Sequence, residues 1–158
     1  MKPKLFIVTT VSDSMPFFKG QLHKLKELFQ ITLVCSPGPQ LNEMGAMHDV
    51  AIHPLTMMRE ISIAKDMQSL WQLYRVFRRE KPTVVHGNTP KGSLLSMIAS
   101  FFARVPVRIY YVHGRRYQST VGKKRHLLMY MERIACFLAT DIIAVSHGTR
   151  AQMEVDRI

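Results

Sequence analysis

Short runs of β-branched and aromatic residues, nearly unbroken in apolar character, alternate along this chain with longer stretches whose apolar residues recur at spacings of three and four. No other feature limits the fold as much. The strand candidates are residues 4–9, 31–35, 49–53, 83–86, 107–112 and 141–145. Continuous apolar character is how a strand covered on both faces reads. Between them lie helical patterns. Met67, Leu70, Trp71, Tyr74 and Phe77 mark one, and Leu127, Met131, Ile134, Ala135 and Leu138 another. A first helix is expected over residues 17–29, with Leu22, Leu25, Leu28 and Phe29 turned inward. Leu94, Leu95, Met97, Ile98, Phe101 and Phe102 mark a mostly buried helix. Thr89 is placed to cap it, Pro90 fits its first turn, and the Val105-Pro106 step lies beyond its end. A further helix is expected to open near Gly148.

Strand and helix alternate about six times, which calls for an α/β fold with a parallel sheet. Right-handed crossovers make it doubly wound and Rossmann-like, with helices on both faces. The chain has 158 residues, the size of one domain spanning 1–158. Ser36-Pro37-Gly38-Pro39 reads as a turn. Cys35 and Cys136 sit in apolar runs without metal or redox spacing, and are expected as free buried thiols. No leader-like or membrane-spanning run is visible, so a cytoplasmic protein is expected.

The net charge of +11 is unevenly spread. Between Arg104 and Arg133 stand eight Lys and Arg against a single acid, Glu132. Such a field attracts phosphates, whether of nucleic acid, nucleotide-sugars or an anionic membrane. Composition leaves the three open.

In an open parallel sheet, ligands bind beyond the carboxyl ends of the strands. His53, His86, His113 and His147 all end or follow a strand candidate. No HxxxH or paired carboxylate accompanies them, so a zinc site is disfavoured. His53 and His86 read as strand-end residues satisfied by backbone. His113 differs: Gly114 lets the chain approach a ligand, and Arg115 and Arg116 add charge beside it. Taken singly, each arginine reads better as a solvated surface residue. Thr89-Pro90-Lys91-Gly92-Ser93 opens a helix whose N-terminus favours anions. It lacks phosphate-loop spacing, and no GxGxxG turn or Gly-x-Ser-x-Gly elbow is present.

Three stretches, in order, carry a resemblance. They are Val85-His86-Gly87-Asn88-Thr89-Pro90-Lys91-Gly92, Val105-Pro106-Val107-Arg108-Ile109-Tyr110-Tyr111-Val112-His113-Gly114, and Ile142-Ile143-Ala144-Val145-Ser146. With Met58-Arg59-Glu60-Ile61-Ser62, they resemble the N-terminal half of family-4 glycosyltransferases, closest to the bacterial type of capsule and lipopolysaccharide assembly. The order and spacing of these motifs carry the likeness more than any one of them.

The resemblance implies the acceptor-side half of a GT-B enzyme, with a second Rossmann-like domain holding the nucleotide-sugar. Members are more than twice as long, so a fragment or a truncated reading frame is expected, inactive by itself. The resemblance implies retaining transfer without metal or other cofactor. The partners it implies are a nucleotide-sugar donor and a lipid-diphosphate-linked or polysaccharide acceptor, with no nucleic acid. It places His113 in the cleft as the catalytic group beside the transferred sugar and diphosphate. Lys19, Gly20, Gly114 and Ser146 are expected near the donor phosphates, although the 14–20 loop lacks the paired glycines of many members. Arg59, Asn88, Thr89, Lys91, Arg115 and Arg116 are expected on the acceptor side. Lys123-Lys124-Arg125-His126 could seat the protein on the inner face of the plasma membrane. The competing reading is a basic α/β module that binds nucleic acid or other anions without catalysis. It needs exposed aromatics for base stacking, with Tyr110, Tyr111 and Tyr117 as the candidates.

Overall fold

The computed structural model of the chain describes residues 1–113 and 120–156, with Lys124 as backbone only. Gly114, Arg115, Arg116 and Tyr117 lie outside the described residues.

Six parallel strands form one sheet in the order β3-β2-β1-β4-β5-β6. They are β1 (Lys4–Val8), β2 (Gln30–Cys35), β3 (Ala51–Pro54), β4 (Val84–Asn88), β5 (Val107–Val112) and β6 (Asp141–Ala144). The helices between them are α1 (Lys19–Leu28), α2 (Pro39–His48), α3 (Ile63–Glu80), α4 (Pro90–Phe102) and α5 (Gly122–Leu138), with α6 (His147–Val155) at the end. A short 3₁₀ helix (Ser12–Phe18) precedes α1.

Alternation along β1 shows how the sheet builds two cores. Phe6 and Val8 pack with Leu73, Val76 and Phe77 of α3, with Leu94, Leu95 and Met97 of α4, and with Ala135 of α5. Leu5 and Ile7 face the other way, toward Met15, Phe18, Leu22, Leu41 and Met44. Period-two side chains on a strand bury both faces only when helices cover both. Each fully buried Leu or Phe contributes roughly 1.5–3 kcal/mol. The edge strands β3 and β6 depart from the expectation of cover on both faces, because they are mostly exposed. Ile142 and Ile143 are both nearly half-exposed.

Several helical expectations need correction. The region read only as a turn after β2 leads into α2, whose Leu41 and Met44 are buried at helical spacing. Leu28 points to solvent, and the residues before Lys19 wind more tightly than an α-helix. The inward stripe of α3 is Ser69, Leu73, Val76 and Phe77, which leaves Met67 and Trp71 exposed. Leu127 of α5 is also exposed, as are Phe101 and Phe102 at the end of α4. Both cysteines are free: Cys35 is buried and Cys136 half-buried.

Helix α4 sits very close to the sheet. A Cβ added at Gly87 of β4 would lie 2.6 Å from Ser96 Oγ and 3.0 Å from Ser93 Cα. One added at Gly92 would lie 3.1 Å from backbone atoms of Thr9 and Thr10. The two glycines and the buried serines of α4 therefore set the helix–sheet distance.

Candidate functional site

The strand order reverses between β1 and β4, whose neighbours run outward on either side. At such a switch point the connecting chains part, and a crevice opens beyond the carboxyl ends. Here the crevice has a volume of about 540 Å³. The chain leaving β1 supplies Thr9 and Thr10, and the 3₁₀ helix supplies Phe17 and Phe18. Asn88, Thr89 and Lys91 come from the β4–α4 joint, Arg59 from the loop before α3, and His113 from the end of β5.

The joint is built by hydroxyls. Thr10 N donates to Thr89 Oγ1 at 3.2 Å, the two hydroxyls lie 2.7 Å apart, and Gly92 N donates to Thr10 Oγ1 at 3.0 Å. Thr89 therefore does not cap α4 with its side chain, as its position suggested. Its backbone sits at φ 65° and makes the turn from strand to helix. That region is costly for a β-branched residue and persists where surrounding bonds hold it.

Lys91 is buried, and its ammonium bonds Asp66 Oδ1 at 2.7 Å and the carbonyl of Glu60. Its charge is thus tied to the loop before α3 while its side chain lines the crevice. Asp66 Oδ2 in turn accepts from Ser62 N at 3.1 Å. Breaking one partner of a buried pair strands the other, which is why such pairs fix local geometry.

His113 has an exposed ring at the crevice wall. Its Nε2 lies 3.2 Å from Asn88 Oδ1. Tyr111 packs edge-on against it with ring centres 4.2 Å apart, and Phe17 and Phe18 close around it at 5.8 and 6.3 Å. Partial burial among these rings lowers its pKa and favours neutral imidazole. Behind it stands His86, which is not merely satisfied by backbone as expected. Its Nδ1 lies 3.3 Å from Asn88 Nδ2, and its ring packs on Tyr111 and Phe18. Burial, and then the nearby His113, push His86 down to about 4.

The sequence-derived candidates separate into groups. Arg59, Asn88, Thr89, Lys91 and His113 converge on the crevice. Lys19 and Gly20 are exposed at the start of α1, next to crevice residues without lining it. Ser146 is exposed at the head of α6, where its Oγ accepts from Thr149 N at 3.1 Å. Gly114, Arg115 and Arg116 fall outside the described residues. Thr9, Thr10, Phe17 and Phe18 line the crevice without having been singled out as site residues. Their signal was present: the first two directly follow a strand, and the aromatic pair ends the loop after it. Tyr110 is buried with its hydroxyl on Glu132, so it offers no face to a base. Among the described residues, no group of three or more His, Cys, Asp or Glu could hold a metal ion.

Comparison with known proteins gives this crevice its context. Residues 18–157 match the model of a family described as the glycosyl transferase 4-like domain. Over 148 residues the chain is 38% identical to the capsular polysaccharide biosynthesis glycosyltransferase CapM of Staphylococcus aureus. That alignment takes in 93% of this chain and 38% of the relative. It is 33% identical over 120 residues to the UDP-Gal:α-D-GlcNAc-diphosphoundecaprenol α-1,3-galactosyltransferase of Escherichia coli, covering 75% of this chain and 31% of that one. The chain thus spans well under half the length of these curated relatives. Among solved structures, HepE of Anabaena in complex with UDP and glucose superposes with a TM-score of 0.69 at 15% identity, over 98% of this chain and 41% of that one. That likeness speaks for the fold.

Proposed function

Because the chain belongs to the glycosyl transferase 4-like family, we propose that it forms the acceptor-side half of an enzyme moving a sugar from a nucleotide-sugar to a lipid-diphosphate-linked or polysaccharide acceptor in capsule, exopolysaccharide or lipopolysaccharide assembly. One observation carries the reading: side chains from separate segments, His113, Asn88, Thr89 and Arg59, meet in a single crevice at the switch point of the sheet. The name of the Escherichia coli relative supports a UDP-sugar donor and a sugar on a polyprenyl diphosphate as acceptor, and that of the Staphylococcus aureus relative supports a place in capsule assembly.

In this reading His113 lies beside the transferred sugar, with Arg59 and the Asn88–Thr89 turn on the acceptor side. Leaving of the nucleoside diphosphate builds negative charge on an oxygen, and preorganised donors and cations lower that barrier. The transfer is retaining and needs no metal, with side chains and helix ends carrying the diphosphate. Lys19, Gly20 and Ser146 approach the donor only if the enzyme's other half brings it to them. Gly114, Arg115 and Arg116 follow directly after His113 in sequence and lie outside the described residues.

The basic start of α5 has a second use. Lys123, Arg125 and His126 are exposed next to Val121, Leu127 and Tyr130, all well exposed too. Cations beside apolar groups suit an anionic membrane surface, where polyprenyl acceptors reside. No helix among the described residues is long and apolar enough to cross a membrane.

The test is a transfer assay with the full-length protein, a UDP-sugar panel and an undecaprenyl-diphosphate-linked sugar. Labelled sugar should appear on the lipid. Absence of transfer to any acceptor, together with tight and steeply salt-dependent binding of RNA or DNA, would favour the nucleic-acid module instead.

A further inference from the structure

We infer that Asn88 is a positioning residue that fixes the tautomer of His113, holding the proton on Nε2 and leaving Nδ1 as the ring atom that meets a ligand. The inference rests on the proposed function for its use, but not for its chemistry. It starts from which way the Asn88 amide faces. The Asn88 side chain is buried, and its Nδ2 donates to the carbonyl of His86 at 3.0 Å and reaches the carbonyl of Val8 at 3.5 Å. Turning the amide over would set its oxygen against two carbonyl oxygens, losing both bonds and adding repulsion. The amide orientation is therefore dictated by backbone.

Two consequences follow along the strand ends. Asn88 Nδ2 has only protons to offer, two among three neighbours, so His86 Nδ1, 3.3 Å away, faces it with a lone pair. Asn88 Oδ1 has only lone pairs, so His113 Nε2, 3.2 Å away, carries a proton. The polarity runs one way, from His113 Nε2–H to Asn88 Oδ1, and from Asn88 Nδ2–H to His86 Nδ1. Deep burial favours the neutral form of His86, and the partial cover of the otherwise exposed His113 shifts its ring the same way. Neutral imidazole with its proton on Nε2 has a lone pair on Nδ1. Among the described residues, no hydrogen bond reaches that nitrogen.

His113 then meets its ligand as an acceptor. A sugar hydroxyl can donate to Nδ1, whereas a phosphate oxygen, which needs a donor, finds the ring's one N–H already given to Asn88 Oδ1. The neighbouring rings of Phe17 and Phe18 offer no acceptor that could pull the proton to Nδ1, and Tyr111 meets His113 edge-on through its ring. The chemical class recognised by His113 is therefore a hydroxyl group, and the diphosphate charge falls to other groups.

Long-range ¹H–¹⁵N NMR of the 158-residue chain, labelled at histidine and held above the ordinary imidazole pKa, reads the tautomer directly. His113 should give a pyrrole-type Nε2 and a pyridine-type Nδ1, with a nuclear Overhauser effect from the Nε2 proton to the Asn88 side chain. In Asn88→Leu the two nitrogens should move toward averaged shifts as the tautomers mix. A pyrrole-type Nδ1 in the unsubstituted chain overturns the inference, as does an unchanged Nε2–H spectrum in folded Asn88→Leu. Should Asn88→Leu not fold, the unsubstituted spectrum with its Overhauser contact decides alone. No substrate or turnover enters the measurement, so an inactive transferase leaves this result standing, and a wrong tautomer leaves the transferase reading standing.

Discussion

His86 ties a single imidazole to the acid sensitivity of the whole domain. In the folded chain it is held at about 4, against an ordinary value of 6.5. Between those values the unfolded chain binds a proton that the native chain does not. Stability is therefore full above the ordinary value and is lost as the pH falls through this window, by up to about 3 kcal/mol. Urea titrations across the window should show that loss, and His86→Gln should flatten it. An equally steep acid limb in the variant would remove His86 as its source. Lys91 makes a second residue-scale prediction. Its ammonium is committed to Asp66 and Glu60, so Lys91→Ala should cost about 3 kcal/mol in unfolding free energy by stranding Asp66. Lys91→Met with Asp66→Leu should recover most of that, measured by the same titrations. A loss in Lys91→Ala below about 0.5 kcal/mol would mean that the pair is a surface contact in solution.

At the scale of elements, the β4–α4 joint explains a stretch that the sequence left ambiguous. Thr89 to Ser93 read as a helix start that favours anions, without phosphate-loop spacing. Close packing accounts for its small residues, with Gly92, and Gly87 before it, letting α4 lie against the sheet. Gly92→Ala should destabilise the fold by roughly 1–3 kcal/mol, because its Cβ would press on the backbone after β1. A thermal melt unchanged from the parent would contradict that packing. The strands themselves were legible, since parallel buried strands read as apolar runs, and β5 falls on the predicted residues. Helix α2 was not legible: its apolar positions are few, and Gly45 interrupts them. The stripe of α3 was misread by one turn face, because Met67 and Trp71 share spacing with Leu70 and Tyr74 without being buried. Periodicity alone cannot tell an apolar residue facing a core from one facing solvent. The crevice was legible in part. Strand-end logic pointed to His113 and the family resemblance to Asn88, but the bond from Asn88 to His86 links side chains two residues apart on one strand face, and no spacing rule marks it.

The whole molecule is basic, with eight of its 22 Lys and Arg falling from Arg104 to Arg133. Glu132, the acid within the basic tract, is buried against Tyr110, while Lys123, Arg125 and His126 are exposed. The chain should therefore co-sediment with vesicles containing anionic lipid and release from them as salt rises. Binding to neutral and anionic vesicles alike would argue against the electrostatic part of that attraction. The central claim is that the crevice at the strand ends serves sugar transfer through His113, and it meets its most direct test in the full-length enzyme. Initial rates of sugar transfer to a polyprenyl-diphosphate acceptor should fall at least about 100-fold in His113→Ala, while the melting temperature stays within a few degrees of the parent, since the ring is exposed. Near-parental transfer by a folded His113→Ala enzyme would contradict it.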